Sequence, residues 1–187
     1  MNTFICFLLL SFKLIPANYQ NADSLISKLK PNDTIQDWEY LECNVDGEGM
    51  MDFRLIYSNN KPFDFKPKFL YNFDLPNVYS RASRVILYKT SEGKTISVDT
   101  IDKLKFFLGQ IDNLEEAIFL ARLYGYGFYS NSNKYGSYLE NEEGFLLDGF
   151  KKSNVPDVIE VDAPIIYYRI FVERNGNVII KNPIPTP

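Results

Sequence analysis

Four short turns divide much of this chain into paired apolar runs. They read DGEG (46–49), SEGK (91–94), NEEG (141–144) and RNGN (174–177), and alternating aromatic or branched residues flank them on both sides. Alternation with period two gives a strand one core face and one wet face. Tetrads rich in Gly, Asn and acids suit the sharp reversals between such strands. Hairpins joined in this way build an antiparallel sheet.

The runs QDWEYLECNV (36–45) and MMDFRLIYS (50–58) form the first hairpin. With Val45 opposite Met50 across a four-residue loop, Trp38 and Tyr40 share a core face with Phe53, Leu55 and Tyr57. Glu42 is the polar exception, and Cys43, Asp52 and Arg54 take the other face. Residues 84–100 give the second hairpin and residues 137–150 the third. The last is APIIYYRIFVERNGNVIIKNP, where Asn175-Gly176 predicts a type I′ turn. That turn sets Phe171 opposite Ile180 and Val172 opposite Ile179. Ile165 to Val172 is apolar on nearly both faces, as a central strand would be.

Two consecutive helices are expected at about 100–108 and 113–124. Asp99 is a good N-cap for the first, Ile101, Leu104 and Leu108 share one of its faces, and Gly109 stops it. Asp112 caps the second, Glu115 follows three residues on, and Leu114, Ala117, Ile118 and Ala121 form its buried stripe. The first-turn acids Glu115 and Glu116 suit the helix dipole better than catalysis. One or two helical turns are expected between Ser24 and Lys30. Residues 59–83 combine prolines with many aromatics and read as an extended edge segment. The fold class is therefore α+β: an antiparallel sheet of several hairpins with both helices packed on one face.

The N-terminus carries an apolar run from Phe4 to Phe12, then Pro16 and Ala17. The run is shorter than the roughly 20 residues that cross a bilayer and matches a signal-peptide core. Residues 1–17 are thus a candidate signal peptide, cut after Ala17, and 18–187 one domain. The expected location is secreted or periplasmic, with no integral membrane span in the mature chain. Such a cut removes Cys6 and leaves Cys43 without an intrachain disulfide partner.

Histidine is absent, which removes Ser-His-Asp and Cys-His nucleophile systems, histidine zinc sites and histidine pH switches. The formal charge of −4 and the lack of a basic patch disfavour nucleic acid. CNVDGEGMMD (43–52) imitates a calcium loop, yet the twelfth position from Asn44 is Leu55 where a bidentate acid is needed. It reads as a turn, with Asp46, Glu48 and Asp52 as a weak alternative cation site. Neither a Walker loop, a dinucleotide glycine fingerprint nor a Gly-x-Ser-x-Gly elbow occurs.

Two stretches invite a functional reading. YGYGFYSNSNKYGSY (124–138) has the composition of adaptable binding loops, which nominates Tyr126, Phe128, Tyr129, Tyr135 and Tyr138 as a ligand surface. The competing reading is a loop whose rings cover a core edge. Glu140, Glu142, Glu143 and Asp148 form the densest acidic group, and paired carboxylates can hydrolyse glycosides without histidine. The order of the NLEEAIFLARLYGY helix and the final YYRIFVERNGNVI hairpin resembles that of small secreted α+β modules such as PepSY-like domains. The resemblance covers those two elements and carries no functional residue. The expected function is an exported, non-enzymatic module that binds an extracellular or envelope protein, a peptide or a glycan. A glycan hydrolase and a structural envelope protein are the alternatives. No catalytic residue, metal or cofactor is assigned.

Overall fold

The computed structural model describes residues 12–20, 23–45, 51–64, 83–128, 136–152 and 165–183. Two antiparallel sheets and a few helices make an α+β fold. One sheet has five strands in the order β1 (Lys13–Leu14), β6 (Ser137–Glu140), β7 (Gly144–Lys152), β8 (Ile165–Glu173) and β9 (Val178–Pro183). The other has four: β3 (Met51–Ser58), β2 (Trp38–Val45), β4 (Ser83–Lys89) and β5 (Thr95–Val98). A 3-10 turn (Ala17–Gln20) and α1 (Asp23–Ile26) precede the strands, and α2 (Ile101–Leu108) and α3 (Leu114–Leu123) link the two sheets.

Both sheets feed one core. Trp38, Tyr40, Ile86, Tyr88 and Val98 from the four-stranded sheet join Phe145, Leu147, Ile170 and Val172 from the five-stranded one, with α2 and α3 between them in the chain. Phe107 of α2 meets Trp38 edge to face at 5.2 Å, and Tyr57 meets the same indole at 4.8 Å. α3 packs on β7 and β8. Its expected stripe, Leu114, Ala117, Ile118 and Ala121, is buried, and so are Phe119 and Leu120. A helix apolar on nearly every side belongs inside a core, not on its rim.

The caps sit one residue later than expected. Thr100, not Asp99, caps α2 by accepting from Lys103 N, while Asp99 pairs with the Lys103 ammonium at 2.6 Å. Asn113, not Asp112, caps α3, and its capping-box partner is Glu116, not Glu115. The Glu116 carboxylate also accepts from the backbone N–H of Asp112 at 2.8 Å and of Lys30 at 2.8 Å, so it ties the lead-in segment to the helix start. Glu115 instead accepts from the Tyr19 hydroxyl.

Two hairpin registers differ from the sequence expectation. In the first, Val45 opposes Met51, and a bulge lies between Tyr40 and Leu41. Tyr57 stays beside Tyr40, but Phe53 and Leu55 move to the face of Cys43 and Leu41, and Arg54 comes opposite Glu42. Arg54 and the buried Arg84 both bind the Glu42 carboxylate. Phe53 then joins a second, smaller core of Leu41, Phe63, Val85 and Leu87 behind the sheet. In the last hairpin Phe171 opposes Ile179 and Val172 opposes Val178. The turn is not a two-residue type I′. Glu173 N donates to Asn177 O, Gly176 N donates to Glu173 O, and Gly176 has φ 80°. This three-residue loop with a left-handed glycine repeats at Thr90–Lys94, where Gly93 has φ 79°. Arg174 leaves the ladder because its N–H donates to Glu143 O and its guanidinium to the carbonyls of Ile111, Asp112 and Asn141. A one-residue slip turns every β9 side chain to the opposite face.

Residues 13–15 are integrated in the fold. Lys13 and Leu14 pair with Tyr138 and Ser137, Ile15 N donates to Gly136 O, and the Ile15 side chain is 1% exposed. A cut after Ala17 would take away this edge strand and a filled core position. Ile15→Ala is expected to lower stability by about 2–5 kcal/mol, the usual range for truncating a fully buried aliphatic chain, as read from the urea midpoint.

Burial pushes the Glu116 carboxyl above its ordinary value, against its hydrogen bonds, which pull it down. A raised folded-state pKa adds stability at pH below the unfolded value, and that addition is lost as pH rises through the folded value. Glu116→Gln removes this titration. The stability of the wild type relative to Glu116→Gln should therefore fall as pH rises from the mildly acidic range to neutrality. Urea unfolding of both proteins at several pH values checks the sign.

Candidate binding surface

The tyrosine-rich stretch enters the fold as core at its start. Gly127 N donates to Phe150 O and Phe150 N to Gly127 O, which fastens the chain after α3 alongside β7. Tyr126 and Phe128 point inward on either side of this bridge and are each 5% exposed. The Phe128 ring lies over Gly149, where a Cβ would stand 2.8 Å from it. Tyr126 meets Tyr168 edge to face at 5.4 Å, and the Lys151 ammonium lies 5.5 Å from its ring centre. Burial first, and then Tyr168, push the Tyr126 phenol up. Tyr138 is half-buried on the core row of the five-stranded sheet. Tyr129 and Tyr135 lie outside the described residues. The rings of Tyr126 and Phe128 are therefore part of the core.

The acidic group separates. Glu140 pairs with Arg174 at 3.0 Å. Asp148 is 4% exposed on the far face of the sheet, where it accepts from Ser137 Oγ at 3.0 Å and from Arg169 Nε at 2.8 Å. Its partners account for its burial. Glu142 and Glu143 stay at the exposed tip and, with Phe171, Glu173, Arg174 and Asn175, line an open depression of about 420 Å³. Cys43 is buried, and burial followed by the Asp52 charge raises its thiol pKa, opposite to what a reactive thiolate needs. Among the described residues no group of three or more acids and cysteines is placed to hold a metal ion. The loop 46–50 of the calcium-like stretch lies outside the described residues.

The surface with an unusual composition is the outer face of the five-stranded sheet. The register places Leu139, Leu146, Phe171 and Ile179 in one row across four strands. Leu14, Ser137, Arg169 and Lys181 belong to the neighbouring outer row, with Asp148 between Ser137 and Arg169. Leu14 on the β1 edge and Ile179 on the β9 edge are each 43% exposed, and Phe12 is equally open. Cations lie on the rings of this face: Arg169 over Phe12 at 5.2 Å and Lys181 over Phe171 at 5.2 Å. Sequence reasoning missed this surface for two reasons. Leu14 fell within the candidate signal peptide, and the expected register put Ile179 on the core face.

A scan against protein-family models and searches for similar curated proteins and solved structures found no match. Among the described residues no helix is long and apolar enough to cross a membrane.

Core placement of the tyrosine-rich segment has a direct consequence. Phe128→Ala is expected to lower stability by about 3–5 kcal/mol, the cost of truncating a buried aromatic. A chemical denaturation midpoint unchanged from the wild type would return Phe128 to the surface.

Proposed function

We propose that this chain is a non-enzymatic protein-binding module that works through the outer face of its five-stranded sheet. The supporting observation is the exposure of Leu14 and Ile179 beside the half-buried row Leu139, Leu146 and Phe171. Contiguous apolar surface in contact with solvent favours association with a matching apolar surface. Arg169, whose side chain is 42% exposed, adds a cation at the margin of that row. The fitting occupant is a protein surface with an apolar centre and a carboxylate at its edge. A flat aromatic platform for glycans has less support, because the rings of Tyr126 and Phe128 are buried. The carboxylate-hydrolase reading is weakened by the pairing of Glu140 and Asp148 with arginines.

Export remains part of the proposal and rests on the Phe4–Phe12 run. The core position of Ile15 weighs against a cut after Ala17.

Leu146→Glu places charge in the centre of the row, and combining it with Leu14→Glu adds charge at the β1 end of the neighbouring row. The double variant should lose a partner captured by the wild type through a photoreactive group at Leu139, while Glu142→Gln with Glu143→Gln should retain it. Capture unaffected by the leucine changes, or glycan turnover abolished by the glutamine changes, would contradict the reading.

A further inference from the structure

β9 is an edge of the five-stranded sheet. Ile179 on the outer row is 43% exposed, and Ile180 on the core row is 50% exposed. The row that contains Ile180 runs through Leu147 and Ile170, both fully buried. Core coverage therefore ends one strand short of the edge, and β9 is bare on both faces at adjacent positions. Edge strands of this kind offer a row of N–H and C=O groups to another strand, and exposed branched side chains add packing to the pairing.

The strand is also self-complementary. Val178, Ile179 and Ile180 read alike from either end in size and shape. An antiparallel partner related by a two-fold axis perpendicular to the sheet must pair residues of the same face, so opposed positions have the same parity. Centring the axis on Ile179 sets Ile179 against its own copy on the outer face. Val178 then faces Ile180 of the other copy twice on the core side, and Asn177 faces Lys181 twice. Branched pairs in direct opposition are the favoured cross-strand contacts.

The charges match in the same register. Lys181 is the only charged residue between Val178 and Pro183. Asn177 bonds the Glu173 carboxylate through its amide at 3.0 Å, and Glu173 is its neighbour across the hairpin. A lysine arriving opposite Asn177 stands two strand spacings from Glu173, about 9.6 Å between backbones, a gap within reach of the two long side chains. A lone lysine on an edge normally discourages pairing. Here the two-fold gives it a carboxylate.

We infer that β9 pairs with β9 of a second copy of this chain, antiparallel about Ile179, to join two five-stranded sheets into one continuous sheet. Both outer faces then lie on the same side of the assembly, so a dimer presents the proposed partner surface twice. The inference does not rest on that surface: a monomer that still binds through Leu14 and Leu146 would sink the pairing and leave the binding reading intact.

Sedimentation equilibrium of the full chain tests it. The expected species at high concentration has twice the 21.7 kDa chain mass. Ile179→Lys sets two ammonium groups face to face and should abolish the dimer at concentrations where the wild type is mostly dimeric. Lys181→Glu should weaken association several-fold, and adding Glu173→Lys should restore it. In a Cys6→Ser background, Ile179→Cys should form an interchain disulfide on mild oxidation, since opposed residues sit within disulfide range. Ile166→Cys, on a more distant exposed position of β8, should not. A chain that stays monomeric at every concentration overturns the inference. So does a dimer that survives Ile179→Lys and gives no Ile179→Cys disulfide.

Discussion

α3 is the element on which the rest of this structure depends. Eight of its residues are buried, from Leu114 through Arg122 with the exception of Glu115. A ten-residue helix gains little from its own hydrogen bonds in water. Its stability comes from packing against β7 and β8, and its cluster continues into Trp38 and Tyr88 of the other sheet. Glu116 fixes where the helix starts. One carboxylate accepts from the backbone of Lys30, Asp112 and Asn113, which brings the lead-in segment and the α2–α3 connection to one point. Arg122 works at the other end by donating to the Tyr19 carbonyl. The N-terminal segment is thereby held to both ends of α3.

Buried charge in this protein is mostly architectural. Glu42 lies between Arg84 and Arg54, Asp148 between Ser137 and Arg169, and Glu116 among backbone donors. Glu39 is fully buried behind the four-stranded sheet and accepts from Phe63 N at 3.0 Å, which pins the start of the segment after β3. Burying such groups costs several kcal/mol each unless partners are well placed. Their placement specifies register: Glu42 faces Arg54 only in the bulged pairing, and Asp148 faces Arg169 only in the observed β7–β8 alignment.

The hairpins and helices were legible because each carried its own punctuation. Alternation marked the strands, and Thr100, Asn113 and Gly109 stand at helix ends within a residue of where the sequence placed them. Registers were less legible. The turn at Asn175-Gly176 has a local preference for two residues, but the hydrogen bonds of Arg174 to three distant carbonyls are a tertiary effect that recruits it into the loop. The bulge at Tyr40 has no local signal either, since what it brings opposite Glu42 is Arg54 of the neighbouring strand. Those single-residue differences decide which side chains face water. The division into two sheets was hidden as well, because composition looks the same for strands in one sheet or two. For the candidate surface, composition does not tell exposed rings from buried ones: rings that suit a paratope also fill a core, as Tyr126 and Phe128 do where Gly149 makes room.

Native-state hydrogen exchange is the most direct test of the claim that one core, organised by α3, joins both sheets. Buried amides of α3, of β2 and β4, and of β7 and β8 should exchange through a common opening with the free energy and denaturant dependence of global unfolding. If β2 and β4 open at markedly lower free energy while α3, β7 and β8 stay protected, the two sheets are separate cooperative units and the account of a shared core is wrong.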